Sequence, residues 1–203
     1  TNLSKIQRFA SRFSVREIPP SQFGKGEETL RFLSAFTSEG ILTLEQTPLL
    51  LCGHITHIRD EYGAASGEVL AALRQEFLAK GFDLITCRCP LFPFTKIDHL
   101  FVPELGLGFM TQNKLHHLKA LPDKTIHAQR FTNIEELRKS RARLSWDGKA
   151  AREMLSHTCQ LLEHSGEIYR RLQSYGQQAA SQKQADQQLY QLIRLLLESC
   201  PPL

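Results

Sequence analysis

The segment His54-Ile55-Thr56-His57-Ile58, then Arg59-Asp60-Glu61-Tyr62-Gly63-Ala64-Ala65-Ser66-Gly67, then Glu68 to Lys80, decides the fold class. Its first five residues alternate and are rich in β-branched side chains, the mark of a strand. Its last part carries Val69, Leu70, Leu73, Phe77 and Leu78 on one face and meets Gly81 at its end, which predicts a helix over 68–80. Phe82-Asp83-Leu84-Ile85-Thr86-Cys87 follows as a second strand. Strand, helix and strand within about 30 residues form a βαβ unit, hence a parallel sheet with a right-handed crossover.

Outward from this unit, Leu30 to Phe36 reads as a strand and Thr37-Ser38-Glu39-Gly40 as a turn. Ile41 to Leu51 is apolar and ambiguous between helix and strand. Asp98-His99-Leu100-Phe101-Val102 and Leu107-Gly108-Phe109-Met110 are two further strands. Upstream, Leu3, Ile6, Phe9, Ala10 and Phe13 recur at helical spacing with Lys5, Arg8 and Arg12 between them, a short amphipathic helix that Ile18-Pro19-Pro20 ends. After Thr132 the pattern is helical throughout. Thr132 and Glu135 offer a capping box, and Trp146-Asp147-Gly148 reads as a break. Residues 149–175, about 40 Å long as a helix, carry apolar side chains at spacings of three and four. Gln177 to Gln188 is Gln- and Ala-rich, a solvated helix or loose connector, and a third helix holds Leu189, Leu192, Ile193, Leu196 and Leu197. The expected plan is an N-terminal helix and linker at 1–28, an α/β core at 29–131 and a helical extension at 132–203.

Composition sets the bounds. The chain has 203 residues, 41% hydrophobic and 23% charged, an ordinary globular balance for one domain with an appendage. Lys and Arg number 25 against 21 Asp and Glu, a net charge of +4 that permits an anionic partner but argues against a nucleic-acid binder. The longest strongly apolar run, Pro48 to Cys52, is far short of a membrane helix. Five cysteines, at 52, 87, 89, 159 and 200, without a CxxC pair, read as reduced thiols in a cytoplasmic protein. The opening Thr1-Asn2-Leu3-Ser4-Lys5 has neither an initiator Met nor a signal sequence, as expected of a processed or excised piece.

The chemistry of a βαβ unit concentrates at its first strand-to-helix turn, where backbone N–H groups and the helix dipole favour an anion. Here that turn is small and contains Gly63, Ser66 and Gly67. A working phosphate loop needs G-x-x-x-x-G-K-[ST], with Lys on the phosphates and the hydroxyl on magnesium. Gly63 and Gly67 are too close for that spacing, and Glu68 and Val69 stand where Lys and Ser or Thr would follow Gly67. A carboxylate there repels a triphosphate.

Phe32-Leu33-Ser34-Ala35-Phe36-Thr37-Ser38-Glu39-Gly40, then Lys80-Gly81-Phe82-Asp83-Leu84, Cys87-Arg88-Cys89-Pro90-Leu91-Phe92-Pro93, Lys96-Ile97-Asp98-His99 and Val102-Pro103-Glu104-Leu105 resemble, in order and spacing, an uncharacterised family of bacterial P-loop ATPase-domain proteins built of two NTPase-like halves. Cys89, Pro93, Asp98, Pro103 and Glu104 match the family's pattern, with one extra residue between Pro93 and Asp98. The match covers 29–111 and, more loosely, the helices to about 175. The resemblance implies a three-layer, mostly parallel sheet of P-loop NTPase type, with ATP and magnesium as the cofactors of an intact member. The departures fall on the machinery. A gapless placement sets Ala65-Ser66-Gly67 on G-K-[ST], and a shift of two sets Gly67-Glu68-Val69 there, so the Lys is lost either way. The carboxylate that follows the Pro-Glu-Leu strand is replaced by the run Phe109-Met110-Thr111-Gln112-Asn113. The expectation is a degenerate, non-hydrolysing half with a regulatory or scaffolding role, its residual phosphate-loop position at Gly63, Ser66, Gly67 and Glu68, with Asp98 and Glu104 near strand ends.

Two other functions compete with it. One is an active nucleotide-dependent ATPase or kinase-like enzyme whose cation comes from elsewhere, such as Arg59, Arg141 or Arg143. The other is a protein-interaction module on the 149–199 helices, joining a sister NTPase half or a second copy. No metal is expected: Cys87, Cys89, Asp98, His99 and Glu104 gather near strand ends, but the cysteines read as small core residues. The adjacent His116 and His117, and His54 and His57, show no nucleophile pattern. The basic run Arg138-Lys139-Ser140-Arg141-Ala142-Arg143 reads as a solvated helical face behind Glu135 and Glu136.

Overall fold

The computed structural model describes residues 1–20, 24–113, 118–119, 121–180 and 182–199. In chain order its elements are α1 (Leu3–Glu17), β1 (Glu28–Arg31), β2 (Ser34–Thr37), β3 (Gly40–Thr43), α2 (Gln46–Leu51), β4 (His54–Arg59), α3 (Ser66–Ala79), β5 (Leu84–Arg88), β6 (Ile97–Val102), β7 (Leu107–Gln112), β8 (Lys124–His127), α4 (Ile134–Lys139), α5 (Arg141–Ala179) and α6 (Gln182–Ser199). The chain divides into two compact units, Thr1–Ser156 and His157–Leu203.

The first unit is α/β. Its six-stranded sheet runs β1-β5-β6-β7-β4-β8. β1 and β5, β7 and β4, and β4 and β8 pair in parallel, while β6 is antiparallel to both neighbours. Five strands therefore point one way and β6 alone points back. The βαβ unit β4–α3–β5 is present, but its two strands are not adjacent, because the β6–β7 hairpin lies between them.

Alternation along the strands sorts the core to the two faces of the sheet. Ile58, Leu84, Leu100, Val102 and Phe109 face one side, where α1 and α3 pack with Ile6, Ala10, Val69, Leu70, Leu73 and Phe77. An aromatic chain, Phe131 to Phe9 to Phe13 to Phe77 and Phe109, stitches α1 to this face. Ile55, Cys87, Phe101 and Met110 face the other side and are covered by Leu33, Cys52 and Leu118. Among the described residues, every buried hydrophobic one lies between Ile6 and Phe131.

Three local expectations are corrected, and one strand was not foreseen. The strand expected at 30–36 breaks at Phe32-Leu33, because β1 joins the large sheet while β2 pairs with β3 in a separate antiparallel hairpin turned by Gly40 at φ +109°. The cap of α4 is Asn133, whose side chain accepts the Glu135 N–H at 3.1 Å, whereas the Thr132 hydroxyl donates to the Gln129 carbonyl. No break occurs at 146–148, since one glycine costs only about 1 kcal/mol in a helix. The chain turns instead at Ser140, which closes α4 through the Glu136 carbonyl and opens α5 by accepting the Leu144 N–H at 2.9 Å. Finally β8, a four-residue edge strand with one half-buried side chain, carries no periodic signal.

Candidate functional site

The carboxyl ends of β4, β5 and β7, with the start of β6, meet the amino end of α3, the usual place for a ligand in an α/β sheet. A cleft of about 620 Å³ opens there, lined among others by Tyr62, Gly63, Cys89, Lys96, Asp98 and Arg141. A second, polar hollow of about 320 Å³ reaches Gly67, Glu68, Arg74, Arg88 and Lys96.

Asp60 governs the turn. It is the first residue after β4, and its backbone N–H donates to the Gln112 carbonyl at 2.9 Å, which ties it to β7. Its side chain is buried, and Oδ2 accepts the backbone N–H groups of Ala65 and Ser66 at 2.8 and 2.7 Å. These are N–H groups at the amino end of α3, which a helix leaves without intrahelical partners. The Asp60 carbonyl also accepts from Gly63 at 3.2 Å, where a φ of +65° needs a glycine. The loop is thus closed on a carboxylate of its own chain, which occupies N–H groups that a helix amino end could otherwise offer to an anion.

Lys96 lies over this loop. A Cβ on Gly63 would stand 3.7 Å from its Nζ, and one on Gly67 would stand 3.5 Å from its side chain. Its Nζ is 3.3 Å from Asp98 Oδ1, whose side chain is 5% exposed, so the cation carries its own counter-ion. Burial raises the Cys89 thiol, and the charge and hydrogen bond of Asp98 raise it further, so Cys89 is a neutral thiol rather than a nucleophile. The ionic groups lining the cleft balance, with Glu61, Asp98 and Asp147 against Lys96, Arg141 and Arg152.

The expected residues do not all meet. Gly63, Ser66, Gly67 and Glu68 sit together at the loop, with Ser66 fully buried and Glu68 exposed. Asp98 joins them from β6. Glu104 does not: it follows the far end of β6 in a short turn at Pro103–Leu105, about 20 Å along the strand from Asp98. Arg141 lines the cleft, Arg143 pairs with Asp147 at 3.9 Å, and Arg59 is exposed at the end of β4. The pair His116 and His117 lies outside the described residues. Asp60 and Lys96 are new. Their signals are an acid immediately after a strand, and a Lys two residues before Asp98, on the same side of an extended chain.

Cys87, His99, Met110 and His57 stand in one register row across β5, β6, β7 and β4. Strand spacing spreads four such positions over about 14 Å, so they do not converge on one ion. Among the described residues no group of three or more His, Cys, Asp or Glu side chains is placed to hold a metal. No helix among them is long and apolar enough to cross a membrane. Comparisons with known protein families, with curated proteins and with solved structures find no match.

Proposed function

We propose that the first unit is a degenerate domain of P-loop NTPase type that does not hydrolyse nucleotide and serves as a regulatory or scaffolding half. The observation that carries this reading is Asp60 on the Ala65 and Ser66 N–H groups. A β- or γ-phosphate entering that turn would meet a buried carboxylate already holding the donors it needs, and like charge repels it. The missing Lys in the turn, the exposed Glu68 and the balanced charge of the cleft point the same way. In the scaffolding role, the 149–199 helices supply the association surface, toward a sister half or a second copy.

Lys96 favours a second reading, an atypical nucleotide enzyme whose cation comes from the residue just before β6. Calorimetric titration of ATP, with and without magnesium, separates the two. The degenerate domain gives no heat at millimolar nucleotide. Micromolar binding that Lys96→Ala abolishes, together with magnesium-dependent turnover of the bound ATP, would establish the enzyme reading instead.

A further inference from the structure

The second unit has amphipathic helices and, among the described residues, no buried hydrophobic side chain. On α5, Leu161, Leu162, Ile168, Tyr169, Leu172 and Tyr175 are between 41% and 67% exposed. On α6, Leu189, Leu192, Ile193 and Leu196 are between 43% and 60% exposed. A helix of 39 residues with this composition gains little from propensity alone and holds its shape by packing its apolar face.

The spacing says what kind of surface covers it. Leu161, Ile168 and Tyr175 are seven apart, as are Leu162 and Tyr169, and Ser165 and Leu172. The same beat runs back to Met154 and Leu155. A strict repeat of seven drifts around a straight helix and stays on one side only when two helices wind about each other. The stripe is also three positions wide in each heptad, broader than the two-position seam of a two-stranded coil. That width is the pattern of a helix in a bundle. On α6, Leu189, Leu192, Ile193 and Leu196 repeat the same three-position pattern.

We propose that this unit docks onto a second copy of the chain, α5 and α6 from each copy closing a four-helix bundle. The inference rests on the assignment of these helices to association and is independent of the phosphate-loop reading. Four helices, each with a broad apolar stripe, bury those stripes in one another without a further partner. The area is of the right order: ten side chains on α5 and α6, each leaving roughly 100 Å² uncovered, offer about 1,000 Å² per chain, shared between the contact of α5 with its own α6 and the second copy, where a stable interface takes ~800 Å² per partner. One stripe used by both copies makes the contact isologous, the commonest arrangement of soluble oligomers.

The test is the mass of the full chain by light scattering at tens of micromolar. The expected value is twice that of one chain. Leu161→Lys with Ile168→Lys, both in the stripe, should give a monomer that keeps the thermal transition of the first unit, whose core is built of residues from 6 to 131. Gln160→Lys with Glu163→Lys, on the opposite face, should remain dimeric. A wild-type monomer, which includes the case of α6 folding back on its own α5, overturns the proposal. So does a dimer that survives the stripe lysines. ATP titration on the same samples reports the nucleotide reading separately, so one idea can fail without the other.

Discussion

Asp60 is the residue on which the candidate site turns, and its removal is measurable. Asp60→Ala leaves two buried N–H groups without their acceptor, which costs about 2 kcal/mol. A lowering of the first unit's melting temperature by roughly 4–8 °C is expected, with Asp60→Asn, which keeps one acceptor oxygen, falling less. An unchanged melting temperature would mean that water replaces the carboxylate and that the turn is not held shut by it. Gly26 is a second sensitive position. A Cβ there would collide with the backbone of Phe82, while the Gly26 N–H donates to the Leu78 carbonyl at 3.1 Å. Gly26→Ala must displace backbone rather than a side chain, so about 2 kcal/mol or more is expected in urea unfolding. Neither residue stands out in the sequence. Gly63, Gly67 and Ser66 were legible because small residues between a strand and a helix mark an anion turn. Asp60 was hidden because its role depends on a side chain folding back over five residues, and Lys96 because its partner glycines lie 33 and 29 residues away.

At the scale of elements, legibility followed periodicity. α1, α3, β4, β5, β6 and β7 lie where alternation or helical spacing puts them, with their ends moved by a few residues. β1 and β2 were merged because their side chains read alike, and only pairing separates them. β8 was silent because it gains its place from β4 backbone bonds rather than from buried side chains. The strand least secured by apolar contact, β1, is held by a charged pair. Arg74 on α3 donates through Nε to Glu28 Oε1 at 2.6 Å and through a second nitrogen to Oε2. That bond to Arg74 holds the Glu28 carboxyl below its usual range. A carboxyl lowered on folding stabilises the protein above its unfolded value of about 4.5 and loses that contribution as pH falls through the folded value. Glu28→Gln should therefore cost about 2 kcal/mol at neutral pH, and the gap to wild type should close as acid unfolding is followed below pH 4.5. A gap that stays constant with pH would assign the cost to packing rather than to the pair.

For the molecule as a whole, the buried hydrophobic side chains among the described residues sit in the α/β unit, and the stability they supply belongs to that unit. The sheet buries three thiols, Cys52, Cys87 and Cys89, without a disulfide. Burial pushes Cys52 up to about 11 and Cys87 up to about 12, and raises Cys89 with help from Asp98. A thiol whose folded value is raised stays protonated in the fold while the unfolded chain gives up its proton above about pH 9. Its contribution is complete below pH 9 and is lost as pH rises from there through the folded value. Each thiol then removes up to about 1.4 kcal/mol per pH unit. The fold should weaken steeply between pH 9 and pH 11, faster than lysine and tyrosine titration on an exposed surface would cause. Cys87→Ala separates the causes. It lowers stability at pH 7 by leaving a small void, but it flattens the alkaline slope by one thiol, because nothing remains at that position to ionise in the unfolded chain. Urea midpoints of the two proteins, followed by circular dichroism across that range, should converge as pH rises. Parallel curves would show that the Cys87 thiol ionises as readily in the folded state as in the unfolded chain, and that the row Cys87, His99, Met110 and His57 lies in a wetter sheet face than its burial implies.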